Sequence, residues 1–104
     1  MDSFLALADP NRRRMMELIA NGPRPAGAIA ADFELSAPAV SQHLKTLREA
    51  GLVRVEVRGQ RRIYSLEPNG LAAVDAWIAT IRGFWSERLD ALAAEIEQEK
   101  GERQ

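Results

Sequence analysis

Apolar residues recur every three or four positions in the first third of the chain, which is the spacing of helices with one buried face. Asp9 is a good N-cap and Pro10 a good first helical residue, so they predict the start of a helix. Gly22 marks the end of that helix. A rigid turn at residues 22–25 separates this helix from a second, shorter one. The apolar segment at residues 3–8 is too short to be stable alone, so it needs a surface to lie against. The inward positions of the two helices are Met15, Leu18, Ile19, Ala26, Ile29, Ala30 and Phe33.

A third helix is predicted for residues 36–50. Ser36 is a good N-cap, and Pro38 fits the first turn because a proline lacks the N–H that is unpaired there. Gly51 ends the helix cheaply in a left-handed conformation, and Leu52 can fold back as the closing contact. The inward positions form a narrow apolar stripe at Val40, Leu44 and Leu47.

The outer face of this third helix is small, polar and mildly basic. It suits a DNA major groove, because Gln42 can pair with a base edge and Lys45 with a phosphate or a guanine. An ordinary solvated face is the alternative, and the helix alone does not decide between them. Two helices joined by a short turn, the second with a polar outer face, are the helix-turn-helix arrangement. The outward positions are Pro38, Gln42, Lys45 and Glu49, with Ala39 and Thr46 beside them.

The hydrophobic period changes to two after residue 52, which predicts a β-hairpin. A two-residue turn at Gly59 fits type II′, and the resulting register places Val53 opposite Leu66 and Val55 opposite Tyr64. The exposed tip is rich in arginine, which suits DNA phosphates or a minor groove. The alternative is a charged edge that prevents sheet aggregation. This hairpin, about residues 52–66, is called the wing, and its tip arginines are Arg58, Arg61 and Arg62.

A final helix is predicted over residues 70–99, with a length of roughly 45 Å at 1.5 Å per residue. A globule of this size cannot cover such a helix, so part of its apolar face is expected to meet a second copy of the chain. The segment at residues 3–8 is the expected companion of that face. The two tryptophans are interpreted as packing anchors, the alternative being a ligand cage. The polar residues after Ile96, including a tail at 100–104, are expected to fray.

The composition, with 46% apolar and 28% charged residues in 104, is that of one soluble globular domain. No apolar run approaches a membrane span and no signal peptide is visible, so we expect a cytoplasmic protein without a membrane partner. Residues 1–66 hold ten Lys/Arg against seven Asp/Glu, whereas residues 67–104 hold four against eight. A basic front half suits a protein that meets a polyanion with one part only. One histidine, no cysteine and no glycine-rich phosphate loop argue against an enzyme.

Three segments, LALADPNRRRMMELIANG, SAPAVSQHLKTLREAGLV and VRGQRRIYSLEP, resemble the ArsR family of bacterial transcription regulators. The resemblance covers nearly the whole chain. It implies a mainly α winged helix-turn-helix with a small β-hairpin, in one domain with a DNA-binding core at residues 1–66. It also implies a homodimeric repressor, joined through the first and last helices, that binds double-stranded DNA at an inverted repeat.

The resemblance carries site residues onto this sequence. The helix at 36–50 would lie in the major groove and the wing on the flanking groove. The implied DNA-binding positions are Ser36, Pro38, Ala39, Ser41, Gln42, His43 and Lys45, with Arg58, Arg61 and Arg62 from the wing. The implied dimer interface comprises Phe4, Leu5, Leu7, Trp77, Ile81, Phe84, Trp85, Leu89 and Leu92.

The sequence departs from the metal-sensing members of that family. Those members carry a Cys-x-Cys motif near the start of the helix that precedes the one at 36–50, where this chain has Pro25 and Gly27. Others use histidine and acidic residues on the last helix, whereas His43 is the sole histidine here. The chain is therefore similar to the metal-independent branch, with no metal and no cofactor. A small-molecule or protein effector stays open, and an interaction module or organic-ligand sensor built on the aromatic last helix is the alternative function.

Two assignments remain open at the level of the sequence. Arg12, Arg13 and Arg14 oppose the dipole of their own helix, so they either touch the DNA backbone or form a solvated face. His43 lies at the margin of the inward stripe, where it either contacts a phosphate or only packs.

Overall fold

A computed structural model describes residues 2–102 of the chain. Four helices, with one short strand between the second and the third, precede a β-hairpin, and a short 3-10 turn then leads into one long helix. The α-helices are α1 (Ser3–Ala6), α2 (Pro10–Ala20), α3 (Ala26–Ala30), α4 (Ala37–Glu49) and α5 (Ala72–Glu102), and the 3-10 turn is Pro68–Leu71. The strands are β1 (Arg24–Pro25), β2 (Val53–Arg58) and β3 (Arg61–Leu66). The predicted mainly α fold with a small β element is confirmed.

The helices of the first half begin at the predicted cap residues. The Asp9 carboxylate accepts hydrogen bonds from the backbone N–H groups of Asn11 and Arg12, at 2.8 and 3.2 Å. The Ser36 hydroxyl accepts one from the N–H of Ala39 at 3.2 Å. These bonds satisfy backbone donors that have no partner inside their own helix, so each helix has a defined start.

The end of α4 is held by two backbone hydrogen bonds. The N–H of Leu52 donates to the carbonyl of Leu47, and that of Gly51 donates to Arg48, both at 3.0 Å. Gly51 has a φ of +76°, so the predicted left-handed cap is confirmed. The side chain of Leu52 is fully buried, which makes it the expected closing contact.

The wing has the predicted register but belongs to a larger sheet. Val53 lies opposite Leu66 and Val55 opposite Tyr64, and Gly59 has a φ of +63°. No described residue other than glycine has a positive φ, so the turn at Gly59 is type II′ as predicted.

The third strand, β1, was predicted as part of a rigid turn at residues 22–25, and that prediction is wrong. β1 pairs with β3 on the side away from β2, so that Arg24 lies opposite Tyr64. The prolines that indicated a turn also hold this dipeptide extended, and an edge strand tolerates the missing N–H.

The hydrophobic core lies between the helices of the first half and the inner face of the sheet. α4 contacts α1, α2, α3 and β2, so it is buried over a wider arc than its narrow stripe predicts. Thr46 was expected beside the outer face, yet only 6% of it is exposed. Met16 is also buried, although the sequence pattern did not place it inward. The core residues are Ala6, Met15, Met16, Ile19, Ile29, Val40, Leu44, Leu47, Leu52, Val53 and Tyr64.

Main-chain atoms at the 3-10 turn contact main-chain atoms just after the end of α4. The N–H of Glu67 donates to the carbonyl of Leu52 at 3.0 Å. A Cβ at Gly70 would collide with the carbonyl of Gly51, so only glycine fits there. Leu71, which falls within the predicted last helix, lies instead in the 3-10 turn and packs against the core of the first half.

The chain divides into two compact units, the first ending at Ala73 and the second beginning at Val74. The second unit contains the long helix α5 from Val74 onward, and this helix continues to Glu102. The predicted end of this helix at residue 99 is too early, because Glu, Gln and Lys are good helix formers and continue the helix to Glu102. Fraying after Ile96 stays a prediction. The rest of the predicted tail, residues 103–104, lies outside the described residues. None of the described helices is both long enough and apolar enough to cross a membrane.

Candidate nucleic-acid interface

The outer face of α4 presents most of the predicted DNA-binding side chains to solvent. Ser36 at its N-cap and Pro38 in its first turn are exposed, as are Ser41, Gln42 and Lys45. The predicted positions that are only half-buried are Ala39 and His43. A short row of mostly solvent-exposed residues thus lies along one side of α4, and the opposite side of the helix packs in the hydrophobic core.

Lys45 and Glu49 form an ion pair with an N–O distance of 4.0 Å. Both side chains are more than half exposed, so the pair contributes little stability and solvent screens it. An anion that approaches this face can therefore replace Glu49 as the partner of Lys45 at low cost.

A cleft of about 360 Å³ lies beside α4, bounded by α3 and the inner face of β3. Ser41, Lys45 and Arg48 line it from α4, and Arg62 lines it from the wing. The cleft walls thus bring together three cations and no carboxylate. Sequence reasoning missed Arg48, although its spacing of seven from Ser41 and three from Lys45 puts it on their face.

The wing tip concentrates positive charge at a cost in local stability. Arg58 lies directly opposite Arg61, and like charges in that position repel. Arg58 is also 3.2 Å from the Glu56 carboxylate, which offsets part of that repulsion. Within residues 2–102, neither the Arg61 nor the Arg62 guanidinium has a hydrogen bond or an ion pair, and both residues are exposed. Two arginines without a protein partner at a projecting turn can bind an external anion.

The arginines at the start of α2 were expected either to touch the DNA backbone or to form a solvated face, and two of them instead bind carbonyls of their own chain. The Arg13 guanidinium donates to the carbonyls of Leu7 and Ala8, at 2.9 and 3.1 Å. Arg12 likewise donates to carbonyls of α1, so these two arginines hold the end of that helix. Arg13 and Arg14 are both exposed, and Arg14 forms an exposed ion pair with Glu17 at 3.5 Å.

Asp9 is surrounded by groups that favour its charged form. Desolvation raises the pKa of this carboxyl, but the two backbone N–H groups that donate to it lower the pKa more, together with the charge of Arg12. The pKa of Asp9 therefore lies below its ordinary value of 3.8. The α2 cap is ionised across the physiological range.

The predicted dimer residues lie on α1 and α5. On α1, Phe4 and Leu5 are 43% and 63% exposed, whereas Leu7 just after it packs against the core. Ile81 is half-buried. The α5 residues with large exposed apolar side chains are Trp77, Ile78, Phe84, Trp85, Leu89, Leu92 and Ile96. Among the described residues, no three His, Cys, Asp or Glu side chains are grouped as metal ligands would be.

Comparison with known proteins gives close relatives over nearly the whole chain. Residues 9–55 match the family described as bacterial regulatory protein, arsR family. The HTH-type transcriptional regulator Rv2034 of Mycobacterium tuberculosis is 45% identical over 93% of this chain and 88% of its own length. The transcriptional repressor SdpR of Bacillus subtilis is 36% identical, over 72% of this chain and 83% of its own.

Solved structures give the same answer for the fold. A possible transcriptional regulator for arsenical resistance is 40% identical, with a TM-score of 0.74 over 91% of this chain and 96% of its own. The homodimeric winged helix-turn-helix DNA-binding domain of Mb0332 from Mycobacterium bovis is 28% identical, with a TM-score of 0.62. That match covers 76% of this chain and 73% of the Mb0332 domain.

The family match runs from the α2 cap through α4 into β2, and the Rv2034 match, over 93% of the chain, also includes the wing and most of the long last helix. A family of DNA-binding regulators is consistent with the exposed polar face of α4 and with the arginines at the wing tip beside it. The prediction that the chain is not an enzyme is confirmed, because the matched family consists of transcriptional regulators. The chain belongs to the arsR family of bacterial DNA-binding transcriptional regulators, with the winged helix-turn-helix fold.

Proposed function

We propose that the protein is a homodimeric repressor that reads an inverted-repeat operator with α4 in the major groove and the wing on the flanking groove. The observation that carries the proposal is the uncovered polar face of α4, which continues through a cationic cleft to the arginine tip. Helix and tip belong to one compact unit, so one DNA surface meets both.

The side chains on this surface divide into those that read bases and those that bind phosphates. Gln42 is exposed on α4 and has the paired donor and acceptor that an adenine edge requires. Lys45 and the wing arginines are suited to phosphates. The remaining residues proposed to contact DNA are Ser36, Pro38, Ala39, Ser41 and His43.

The proposed dimer is supported by the exposed apolar side chains of α5 and by Phe4 and Leu5 of α1. A row of this size is unusual on a monomer surface. The Mb0332 domain is described as homodimeric and SdpR as a repressor, which favours the same assembly and sign of regulation here. Two-fold symmetry then predicts half-sites about 34 Å apart, one turn of DNA.

The proposed regulator does not sense metal ions or thiol oxidation. The chain has no cysteine, and Pro25 and Gly27 stand where the family's metal-sensing cysteines are expected. Its single histidine already contacts Arg12. A regulator of this kind acts on the chromosome, so the proposal places it in the cytoplasm.

The test is a selection of duplexes from a randomised library with the purified full chain, followed by titration of the enriched duplex and a scrambled one at several salt concentrations. We expect an enriched inverted repeat, and binding that weakens as salt displaces the phosphate contacts. Absence of both enrichment and salt-dependent binding would refute the proposal. That outcome would favour a protein-interaction module built on the aromatic face of α5.

A further inference from the structure

One guanidinium group connects α1 to the proposed recognition helix. The Nε of Arg12 donates to the carbonyl of Ala6 at 2.6 Å, and its Nη2 donates to that of Leu5 at 3.2 Å. Its Nη1 lies 3.3 Å from Nδ1 of His43, in the middle of α4. All three nitrogens of a side chain on α2 thus contact other helices or their ends.

In the Arg12–His43 hydrogen bond, only Arg12 can be the donor. A guanidinium carries only donors, so Nδ1 of His43 must be the acceptor and carries no proton while the bond exists. The imidazole is then held as the tautomer with its proton on Nε2. The contact therefore fixes the ring's orientation and its donor site as well as its distance from Arg12.

A second bond joins α1 to the far end of α4. The hydroxyl of Ser3 donates to the carbonyl of Ala50, the C-cap of α4, at 3.5 Å. α1 is consequently linked to the middle of α4 through Arg12 and to its end through Ser3. With only four residues, α1 has no stability of its own to fix its place, so these bonds and the burial of Ala6 set it.

We infer that Arg12 is a positioning residue for DNA recognition, which couples the placement of α1 to that of α4 without touching DNA itself. The inference rests on the proposed function, in which α1 belongs to the dimer interface and α4 to the DNA interface. A displacement of α1 by dimer formation or by an effector then reaches His43, and with it the recognition helix, through one side chain.

The first test compares Arg12→Met with Arg14→Met, which removes the same charge two residues away at an exposed ion pair. On the duplex selected with the wild-type protein, we expect Arg12→Met to bind at least tenfold more weakly and Arg14→Met to bind within twofold of wild type. Arg12→Lys keeps the charge but cannot reach two carbonyls and an imidazole together, so we expect it to resemble Arg12→Met. Equal affinities for the Arg12 and Arg14 variants would overturn the inference.

The salt dependence separates positioning from direct binding of DNA. If Arg12 bound a phosphate, its replacement would lower the slope of log K against log salt by about 0.9. We expect the slope to stay at its wild-type value in Arg12→Met while the preference for the selected duplex over the scrambled one falls. A reduced slope with preserved preference would identify Arg12 as a phosphate-binding residue and contradict the inference.

A combination with His43→Leu distinguishes coupling from loss of stability. If Arg12 acts through His43, the double variant Arg12→Met, His43→Leu should bind no more weakly than the weaker single variant. Reductions in affinity that multiply would mean that the two residues act separately, and would overturn the inference. Circular dichroism melts establish that each variant is folded at the titration temperature, and Arg12→Lys replaces Arg12→Met if the latter is not.

The Arg12–His43 hydrogen bond can also be tested without DNA. Because the chain has a single histidine, a ¹⁵N spectrum of histidine-labelled protein shows one imidazole. In the wild-type protein we expect Nδ1 to have the ¹⁵N chemical shift of an acceptor nitrogen. That chemical shift should change in Arg12→Met and Arg12→Lys but not in Arg14→Met. An unmoved signal would refute the hydrogen bond on which the inference depends, whereas failure of wild-type protein to select any duplex would refute the proposed function.

Discussion

The arginines of the first unit differ in what their guanidinium groups touch. Arg12 and Arg13 bind backbone carbonyls near the end of α1, and Arg14 pairs with a carboxylate. The guanidinium groups of Arg61 and Arg62 have no hydrogen bond or ion pair in the described part of the chain. Identical side chains therefore stabilise the fold beside α1 and remain available to bind an anion at the wing tip.

At the same scale, Gln42→Ala should reduce affinity for the selected duplex by about 1–3 kcal/mol and relax specificity at one base pair. The change removes a side chain that is exposed in the free protein, so the fold should not change. Titration against single-base variants of the duplex measures both effects. Gln98→Ala on α5 is the matched control, and an equal loss in both variants would contradict base reading by Gln42.

Arg61→Ala should weaken binding to selected and scrambled duplexes alike and lower the salt slope by about one. The reason is that an arginine at a projecting turn contacts phosphate oxygens, which carry no sequence information. Anisotropy titrations over a series of salt concentrations measure the slope, with Arg14→Ala as the control for loss of charge. A changed sequence preference with an unchanged slope would instead indicate that Arg61 reads a groove.

Asp9→Ala should lower the free energy of unfolding by about 1 kcal/mol at neutral pH, because it removes the α2 cap. The pKa of Asp9 is depressed in the fold, so its charge stabilises above the ordinary value of 3.8. That contribution disappears as the pH falls through the lower folded value. Urea unfolding at pH 7 and pH 3, at one protein concentration, should show a gap between wild type and Asp9→Ala that narrows in acid. Asp9→Asn, which can still accept both bonds, is the control, and a gap that widens in acid would contradict the assignment.

At the scale of elements, the features that depend on neighbours along the chain were predictable from the sequence. Caps at Asp9 and Ser36, the left-handed end of α4 and the register of the hairpin all follow from local backbone chemistry. Predictions were wrong where tertiary contacts decide. Thr46 is buried because α4 is packed on several sides, and β1 exists because a proline-bracketed dipeptide meets the edge of β3.

The candidate interface was predictable to a similar extent. The exposed side chains of α4 and the wing follow from helical and strand spacing. The bonds of Arg12 and Arg13 could not be foreseen, since they depend on where α1 ends in space, and Arg12 meets a histidine 31 residues away. A polar side chain's partner is set by the assembled fold more than by its own helix.

Gly70→Ala should destabilise the first unit by roughly 1–3 kcal/mol, because the added methyl group meets the backbone of Gly51 and backbone cannot yield as a side chain does. Gly27→Ala is the control: it lies in α3 with nothing within 4 Å of the new Cβ. Alanine there should be neutral or stabilising by about 0.5–1 kcal/mol. Chemical unfolding measures both changes, and a harmless Gly70→Ala would refute the close approach.

At the scale of the whole molecule, the proposed assembly depends on α5. Leu89→Glu should convert the dimer into a monomer and weaken operator binding at least tenfold, because a carboxylate would be buried without a partner. Sedimentation velocity measures the assembly. Ala94→Glu puts the same group half a turn around the helix from the apolar row, so it should remain dimeric. Dimers of equal stability in both variants would place the interface elsewhere.

The close approach of Gly70 to Gly51 also bears on how this chain can change over generations. Since the two meet through main-chain atoms, a side chain at position 70 is acceptable only after the α4 cap has moved. A lineage therefore cannot replace the glycine at 70 by a single neutral step. Relatives that carry a larger residue there should have altered the cap first, and an ancestor with only one of the two changes should be the less stable protein.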